Sequence, residues 1–360
     1  MNWETIRAEF PSLENWTYFN TATYGQMPRR AVEAVAAHFA RRDQNACADF
    51  LEWFDDADRI RASIARLINA APSDIAFFPN AATPLSLLIN GIGWRPGDEV
   101  VTLEHEFPNH LYWAAALQGR GVKPVSAPIG AVEIGARTRL VMLSTASYVT
   151  GRRPDLDRIA EDCRAAGALL CVDGTQSLGA IRFDCRAIQP DMFVMDGYKW
   201  LLSPNGAGFA YVPRSTRQWL QPSVIGWRSD RRWREVNALH HGTPDFADAA
   251  EKYEGAQIPF PSIYGMGAVV DWMLELGPAN IEARVMELAA RTAAVLGLPA
   301  AESHILTARF PGHDAAELTR KLKDRRILTA ARHGHLRVST HFYNDEEDID
   351  RLRSALQAIL

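Results

Sequence analysis

Lys199 and Asp173 are the two side chains of this sequence best placed to act together. Lys199 follows Phe193-Val194-Met195-Asp196-Gly197-Tyr198, which reads as a buried strand running into a turn at Gly197. In an open α/β sheet, ligands gather at the carboxyl ends of the strands. Burial there disfavours an ammonium and lowers its pKa. The neutral amine can then attack an aldehyde and form a Schiff base. The plainer alternative is a solvated lysine at a strand end. Asp173 closes a second apolar run, residues 169–172. A carboxylate leaving a buried strand costs energy unless it has a partner. A pyridinium nitrogen is such a partner, and an acid beside it keeps the ring an electron sink. The alternative for Asp173 is a helix or turn cap. The separation, 199 − 173 = 26 residues, leaves room for a loop, a short helix and one strand, so the two belong on neighbouring strand ends.

A third element fits the same chemistry. Asn80-Ala81-Ala82-Thr83-Pro84 lies between a strand and a helix. Free amides at a helix start, aided by the helix dipole, bind phosphate. Small residues at Ala81 and Ala82 let an anion approach the backbone. A plain turn capped by Thr83 is the alternative. Amine, acid and phosphate cradle together point to pyridoxal 5′-phosphate (PLP).

The elements that must position these residues alternate. Helices are predicted over residues 28–45 and 55–68. Pro28 is placed in the first turn, and Ala31, Val32, Val35 and Phe39 form an apolar stripe. Strands follow at 75–78, 99–103, 123–127, 138–144, 168–172, 191–195 and 206–212. Helices at 83–88, 110–118 and 154–166 lie between them. Continuously apolar strands separated by helices imply an α/β fold whose mostly parallel sheet is covered on both faces. Residues 221–262 are rich in Arg, Trp, Pro and Gly and read as long loops. A helical stretch over 264–296 breaks near Gly277-Pro278, and the remainder from 301 reads as a small α+β unit.

Composition is that of an ordinary folded protein, with 47% apolar and 23% charged residues. A net charge of −4 gives no global attraction to nucleic acid or anionic membranes. No apolar run is long enough to span a bilayer, and the N-terminus lacks a secretory pattern, so a cytoplasmic location is expected. The four cysteines are too irregularly spaced for a metal site or a disulfide framework. No strand leads into a G-x-G-x-x-G turn, which disfavours a dehydrogenase.

The chain resembles the class V aminotransferase family of fold-type I PLP enzymes, from about Tyr18 onward. That group includes cysteine desulfurases, kynureninase and isopenicillin N epimerase. The blocks VDGTQSLG (172–179) and DGYKWLLSPNGAGFAYV (196–212) carry the likeness most specifically. The resemblance implies a large domain, residues 26–260, with a mostly parallel seven-stranded sheet between helices. An N-terminal segment (1–25) joins the site, followed later by interdomain helices (261–300) and a small C-terminal α+β domain (301–360). It implies a homodimer with shared sites. It implies that Lys199 and Asp173 are catalytic. Gln176 would lie near the phenolic oxygen of PLP, Phe107 would stack on the ring, and Ala81, Ala82, Asp196 and Tyr198 would complete the cofactor site. Arg337 would grip the α-carboxylate of an amino acid, with Asn20, Thr21 and Tyr148 shaping the pocket.

Departures are informative. The segment TAARHGH (329–335) has no cysteine where desulfurases carry their nucleophile, which disfavours persulfide chemistry by that route. Asp196 stands where a small hydroxyl or cysteine is usual near the phosphate, and an ionised carboxylate there would repel it. Gln257 replaces a threonine that often reaches the neighbouring subunit's cofactor. Arg332, His333, His335 and Trp227-Arg228 are candidates for specificity loops or plain surface residues. The family label favours transamination. β-Elimination (C–S lyase-like), epimerisation and a non-catalytic PLP-binding role stay open.

Overall fold

A computed structural model describes residues 2–240 and 242–360. Its main sheet has seven strands: β1 (Ile75–Phe78), β2 (Glu99–Leu103), β3 (Lys123–Ala127), β4 (Thr138–Ser144), β5 (Leu169–Asp173), β6 (Met192–Asp196) and β7 (Gly208–Tyr211). Their order is β1-β7-β6-β5-β4-β2-β3. The run from β6 to β3 is parallel, whereas β7 is antiparallel to both its neighbours.

Strand side chains point alternately to opposite faces, and both faces here are apolar. Val141, Leu143, Leu170, Val172 and Phe193 belong to one core. Leu140, Met142, Cys171, Met192 and Val194 belong to another. Helices Phe50–Leu67, Leu156–Ala166 and Phe260–Leu276 cover the first face, and Ala82–Gly91 and Pro108–Ala116 the second. Each large side chain so buried contributes about 1.5–3 kcal/mol. That two-sided burial explains why the strands read as unbroken apolar runs.

A second, antiparallel sheet is built from β8 (Ile305–Ala308), β9 (Ala330–Arg332) and β10 (His335–Ser339), in the order β9-β10-β8. Helices Pro278–Val295, Ala315–Asp324 and Glu346–Ile359 pack on it through Leu288, Leu322 and Leu352. The start of the chain is tied to this end. Thr17 and Tyr18 pair with Ile327 and Leu328, the Thr21 hydroxyl meets the Tyr343 hydroxyl at 2.5 Å, and Arg7 binds Asp348 at 2.8 Å.

Several expectations are corrected. Pro28 is the N-cap of helix Arg29–Asn45, not part of its first turn. In that helix Ala31 and His38 are buried, but Val32 and Phe39 are about half exposed, so the apolar stripe does not face the core. The next helix begins at Phe50, five residues early, because aromatic Phe54 already packs inward. Trp227 and Arg228 are structural. Arg228 is 1% exposed, pairs with Glu254 at 2.7 Å and lies over Phe54 and Trp233. Trp227 packs edge-on against Phe54 and Trp233. Glu254 also binds Arg61 at 2.7 Å and the Phe77 amide of β1 at 2.8 Å. One buried carboxylate thereby fastens the 221–262 segment to the sheet.

Candidate active site

Four parallel strands end together. Beyond β2 come His105, Glu106 and Phe107; beyond β4, Tyr148; β5 ends at Asp173; and Lys199 follows β6. The β5–β6 register pairs Asp173 with Val194, so the acid and the lysine do sit on neighbouring strand ends. Topology therefore brings together residues spread over nearly a hundred positions of sequence.

Lys199 is 5% exposed, and its Nζ lies 4.9 Å from the centre of the Phe107 ring and 5.4 Å from that of Tyr198. Burial pushes the amine down to about 8; Asp173 and Asp196 resist, while Arg337 and Arg332 add to the fall. At pH 7 such an amine is neutral in roughly one molecule in ten, against about one in three thousand for an ordinary lysine. Capture of an aldehyde by the cofactor-free protein is expected to quicken about tenfold between pH 7 and pH 9 and then level off, because the neutral form saturates above that value. Stopped-flow absorbance after adding PLP measures it. A rate flat over that range would show that amine ionisation does not control capture.

The backbone around Lys199 is clamped. Gly25 N donates to the Tyr198 carbonyl at 2.9 Å, and a Cβ on Gly25 would lie 1.9 Å from the Lys199 carbonyl oxygen. Only glycine permits this approach of the N-terminal loop.

Asp173 is 4% exposed and accepts from the Thr175 amide at 2.8 Å. Its other oxygen faces His110 Nε2 at 3.9 Å. His110 is fully buried, and its Nδ1 lies 3.1 Å from Glu106, which also accepts from the Ser144 amide and hydroxyl at 2.5 and 2.7 Å. Burial works against charge on His110, but the Glu106 carboxylate outweighs it and raises the imidazole above its usual range. A Glu106–His110–Asp173 chain thus stands behind the acid. Nothing in the sequence reading singled out Glu106 or His110. The available signal was a glutamate and a histidine four apart at a strand-to-helix turn, which places both on one helical face.

The phosphate cradle is formed as expected, with one difference. Helix Ala82–Gly91 starts next to Ala81, and Asn80, rather than Thr83, is the capping side chain, accepting from the Thr83 amide at 3.1 Å. The Ala81 amide donates to the Asp196 carboxylate. Burial and the Asp173 charge push Asp196 up to about 6. Its ionised form sits where a phosphate would seek the same amide. Repulsion therefore grows as pH rises through about 6. Asp196→Asn is expected to tighten PLP binding several-fold at pH 7.5, since one charge pair near a protein surface is worth about 1 kcal/mol or more. Fluorescence titration checks this, and weaker binding would mean that the carboxylate helps hold the group.

Gln176 is pinned at both ends. Trp200 Nε1 donates to its oxygen at 3.1 Å, and its amide nitrogen donates to the Ala22 carbonyl at 3.2 Å, leaving one N–H for a ligand. Phe107 opens helix Pro108–Ala116 from its N-cap and meets Tyr148 edge-on at 5.5 Å. Arg337, on β10, is 1% exposed; it donates to the Tyr148 carbonyl at 2.7 Å and to the Thr23 hydroxyl at 2.6 Å. Thr21, named from sequence, spends its hydroxyl on Tyr343 and is fully buried, whereas Thr23, two residues on, reaches the arginine. Asn20 keeps a buried side-chain oxygen with no hydrogen-bond partner. His335 turns back to the His333 carbonyl, and Gln257 is exposed. Cys163, Cys171 and Cys185 are buried thiols, and Cys47 lies in a turn after helix Arg29–Asn45.

These residues fit PLP. A desolvated amine, an acid, an aromatic face and helix-start amides converge, and polar atoms at Asn20 Oδ1, His110 Nε2 and Arg337 Nε are buried without partners. Comparison with known proteins agrees. At 27% identity, the chain is similar over its whole length to a probable cysteine desulfurase of Methanothermobacter thermautotrophicus, and covers 98% of it. At 28%, it is similar to the isopenicillin N epimerase of Streptomyces clavuligerus, over 99% of this chain and 98% of that one. Its fold matches the cystine C–S lyase C-DES in complex with cysteine persulfide (TM-score 0.88, 24% identity, 96% of this chain and 98% of that one). It also matches a cysteine desulfurase from Thermococcus onnurineus (TM-score 0.87, 19% identity, 99% and 97%). The aminotransferase class V family model matches residues 17–352. The chain belongs to the class V aminotransferase family of fold-type I enzymes, whose cofactor is pyridoxal 5′-phosphate.

Proposed function

We propose that this enzyme removes the α-proton of an amino acid with Lys199 and returns it as part of a transamination. Bound PLP supplies an aldehyde that takes up the amino group and a protonated ring that accepts the electron pair released at Cα. Asp173, backed by His110 and Glu106, would hold the proton on the ring nitrogen. The amides of Ala81 and Ala82 would hold the phosphate, Gln176 the phenolic oxygen, and Phe107 one face of the ring. Arg337, with its forked donors, would grip the α-carboxylate and so orient the Cα–H bond.

The observation that carries the reading is the isolation of a single proton carrier. Next to Nζ stand aromatic faces, and the Tyr198 hydroxyl is pushed up to about 12 by burial and the Asp196 charge, out of range for proton transfer at neutral pH. One base moving a proton on one side suits a shift from Cα to the cofactor carbon. Epimerisation, which delivers a proton to the other side, is less well served. β-Elimination shares the first step and is favoured by the likeness to a probable cysteine desulfurase. Product analysis by mass spectrometry, with and without a 2-oxo acid, decides. Turnover that needs the oxo acid supports transamination. Pyruvate and ammonia released without it establish elimination.

We also propose a homodimer. Tyr24, Met27, Val32, Phe39 and Tyr112 are each more than 40% exposed, and Tyr24 packs on Tyr198 beside the lysine. Light scattering giving the mass of one chain at micromolar concentration would overturn it.

A further inference from the structure

The rim of the pocket carries two arginines on one hydroxyl. Arg337 donates to Thr23 Oγ1 at 2.6 Å, and Arg332, on the adjoining strand β9, donates to the same oxygen at 3.3 Å. Two guanidiniums converge where like charges repel. Among the described residues neither has a carboxylate partner within ion-pair distance, although nearly every other buried arginine here has one. Burial, and then the Arg332 charge, lower Arg337 to about 9, so it still carries its charge at neutral pH.

The surroundings of Arg332 face outward. His333 follows it at φ 47° and lies against His105, at φ 58°, with ring centres 5.6 Å apart. Both residues hold the left-handed backbone that side chains rarely adopt, and such strain tends to sit at ligand sites. His333 also reaches toward Tyr148, at 6.4 Å. A single α-carboxylate answers one of the two guanidinium charges. The second is left half buried at the mouth, on the side toward which a substrate side chain would extend.

We infer that the substrate is a dicarboxylic amino acid, its α-carboxylate on Arg337 and its distal carboxylate on Arg332. This rests on the proposed reaction at Cα and narrows it to an acidic substrate class. The competing arrangement is both arginines closing on one carboxylate, with no preference for the side chain.

The test compares kcat/KM of the PLP-loaded enzyme for L-aspartate, L-glutamate and L-2-aminoadipate with that for L-alanine, L-norvaline and L-norleucine. A charge-assisted contact of this kind predicts at least about a tenfold advantage for one of the acidic series. Arg332→Gln should lower the acidic substrates' kcat/KM at least about tenfold more than the neutral ones', chiefly through KM. Equal losses on both series, or no acidic advantage in the wild type, overturn the inference. Calorimetric binding of glutarate against butyrate to the same holoenzyme gives a readout that needs no turnover. If no amino acid reacts, the proposed reaction fails. The acidic pocket then stands on glutarate binding that Arg332→Gln abolishes, and falls without it.

Discussion

Lys199→Ala is expected to leave a folded protein that binds PLP without a covalent bond and turns over at least about a thousandfold more slowly, a loss in the range found for general bases. The side chain is 5% exposed and held partly deprotonated by burial, so removing it relieves a desolvated amine rather than breaking a packed contact. Thermal stability should change little. Borohydride treatment followed by peptide mass spectrometry should trap the cofactor on position 199 in the wild type and nowhere in the variant. A trapped adduct on another lysine would remove the basis for the assignment. Asp173→Asn separates the roles: the covalent bond should survive while kcat falls, because the amide cannot hold the ring proton. An Asp173→Asn enzyme of normal kcat would show that the acid only packs.

Glu254→Gln should be among the most destabilising single changes in the molecule, although it lies far from the chemistry. The carboxylate is fully buried between Arg61 and Arg228, each 2.7 Å away, and burial is outweighed by the two guanidiniums, which lower its pKa. Removing the charge leaves Arg61 with Asp58 at 3.4 Å and Arg228 with Glu251 at 3.6 Å, both weaker arrangements. Breaking one partner of a buried pair costs about 3–5 kcal/mol, against a typical total stability of about 5–15 kcal/mol. Urea unfolding followed by circular dichroism measures it. Adding Arg228→Met should recover part of the loss, since it removes one of the stranded charges. A Glu254→Gln protein within about 0.5 kcal/mol of wild type, the range of ordinary surface changes, would mean that water already screens the cluster.

The parallel strands were legible because both sides of the sheet are covered. Their apolar runs have no polar interruption, and strand ends at Asp173 and near Lys199 followed from where those runs stop. What failed to read was whatever depends on a distant partner. The exposure of Val32 and Phe39 could not be told from a core stripe, because a surface awaiting another chain has the same spacing as a buried face. Arg228 looked like a loop residue until Glu254, 26 positions away, supplied its partner. Thr23 was hidden behind Thr21 for a similar reason: an extended segment turns alternate side chains to opposite sides, and only the positions of Tyr343 and Arg337 show which is which. His110 passed as an ordinary helix residue because its role depends on an acid 63 positions downstream, at the end of another strand.

The pairing of Thr17 and Tyr18 with Ile327 and Leu328 bears on how the enzyme is made. Domains of a growing polypeptide generally fold as units during synthesis, the earlier part first. The reactive amine and its acid are translated by position 199, yet the guanidiniums at 332 and 337, and the strand that docks the leading segment, emerge last. A nascent chain therefore holds a nucleophile before it holds any means of choosing what that nucleophile meets. Selectivity begins at release from the ribosome, and a message cut short before codon 330 would encode an aldehyde trap without an enzyme.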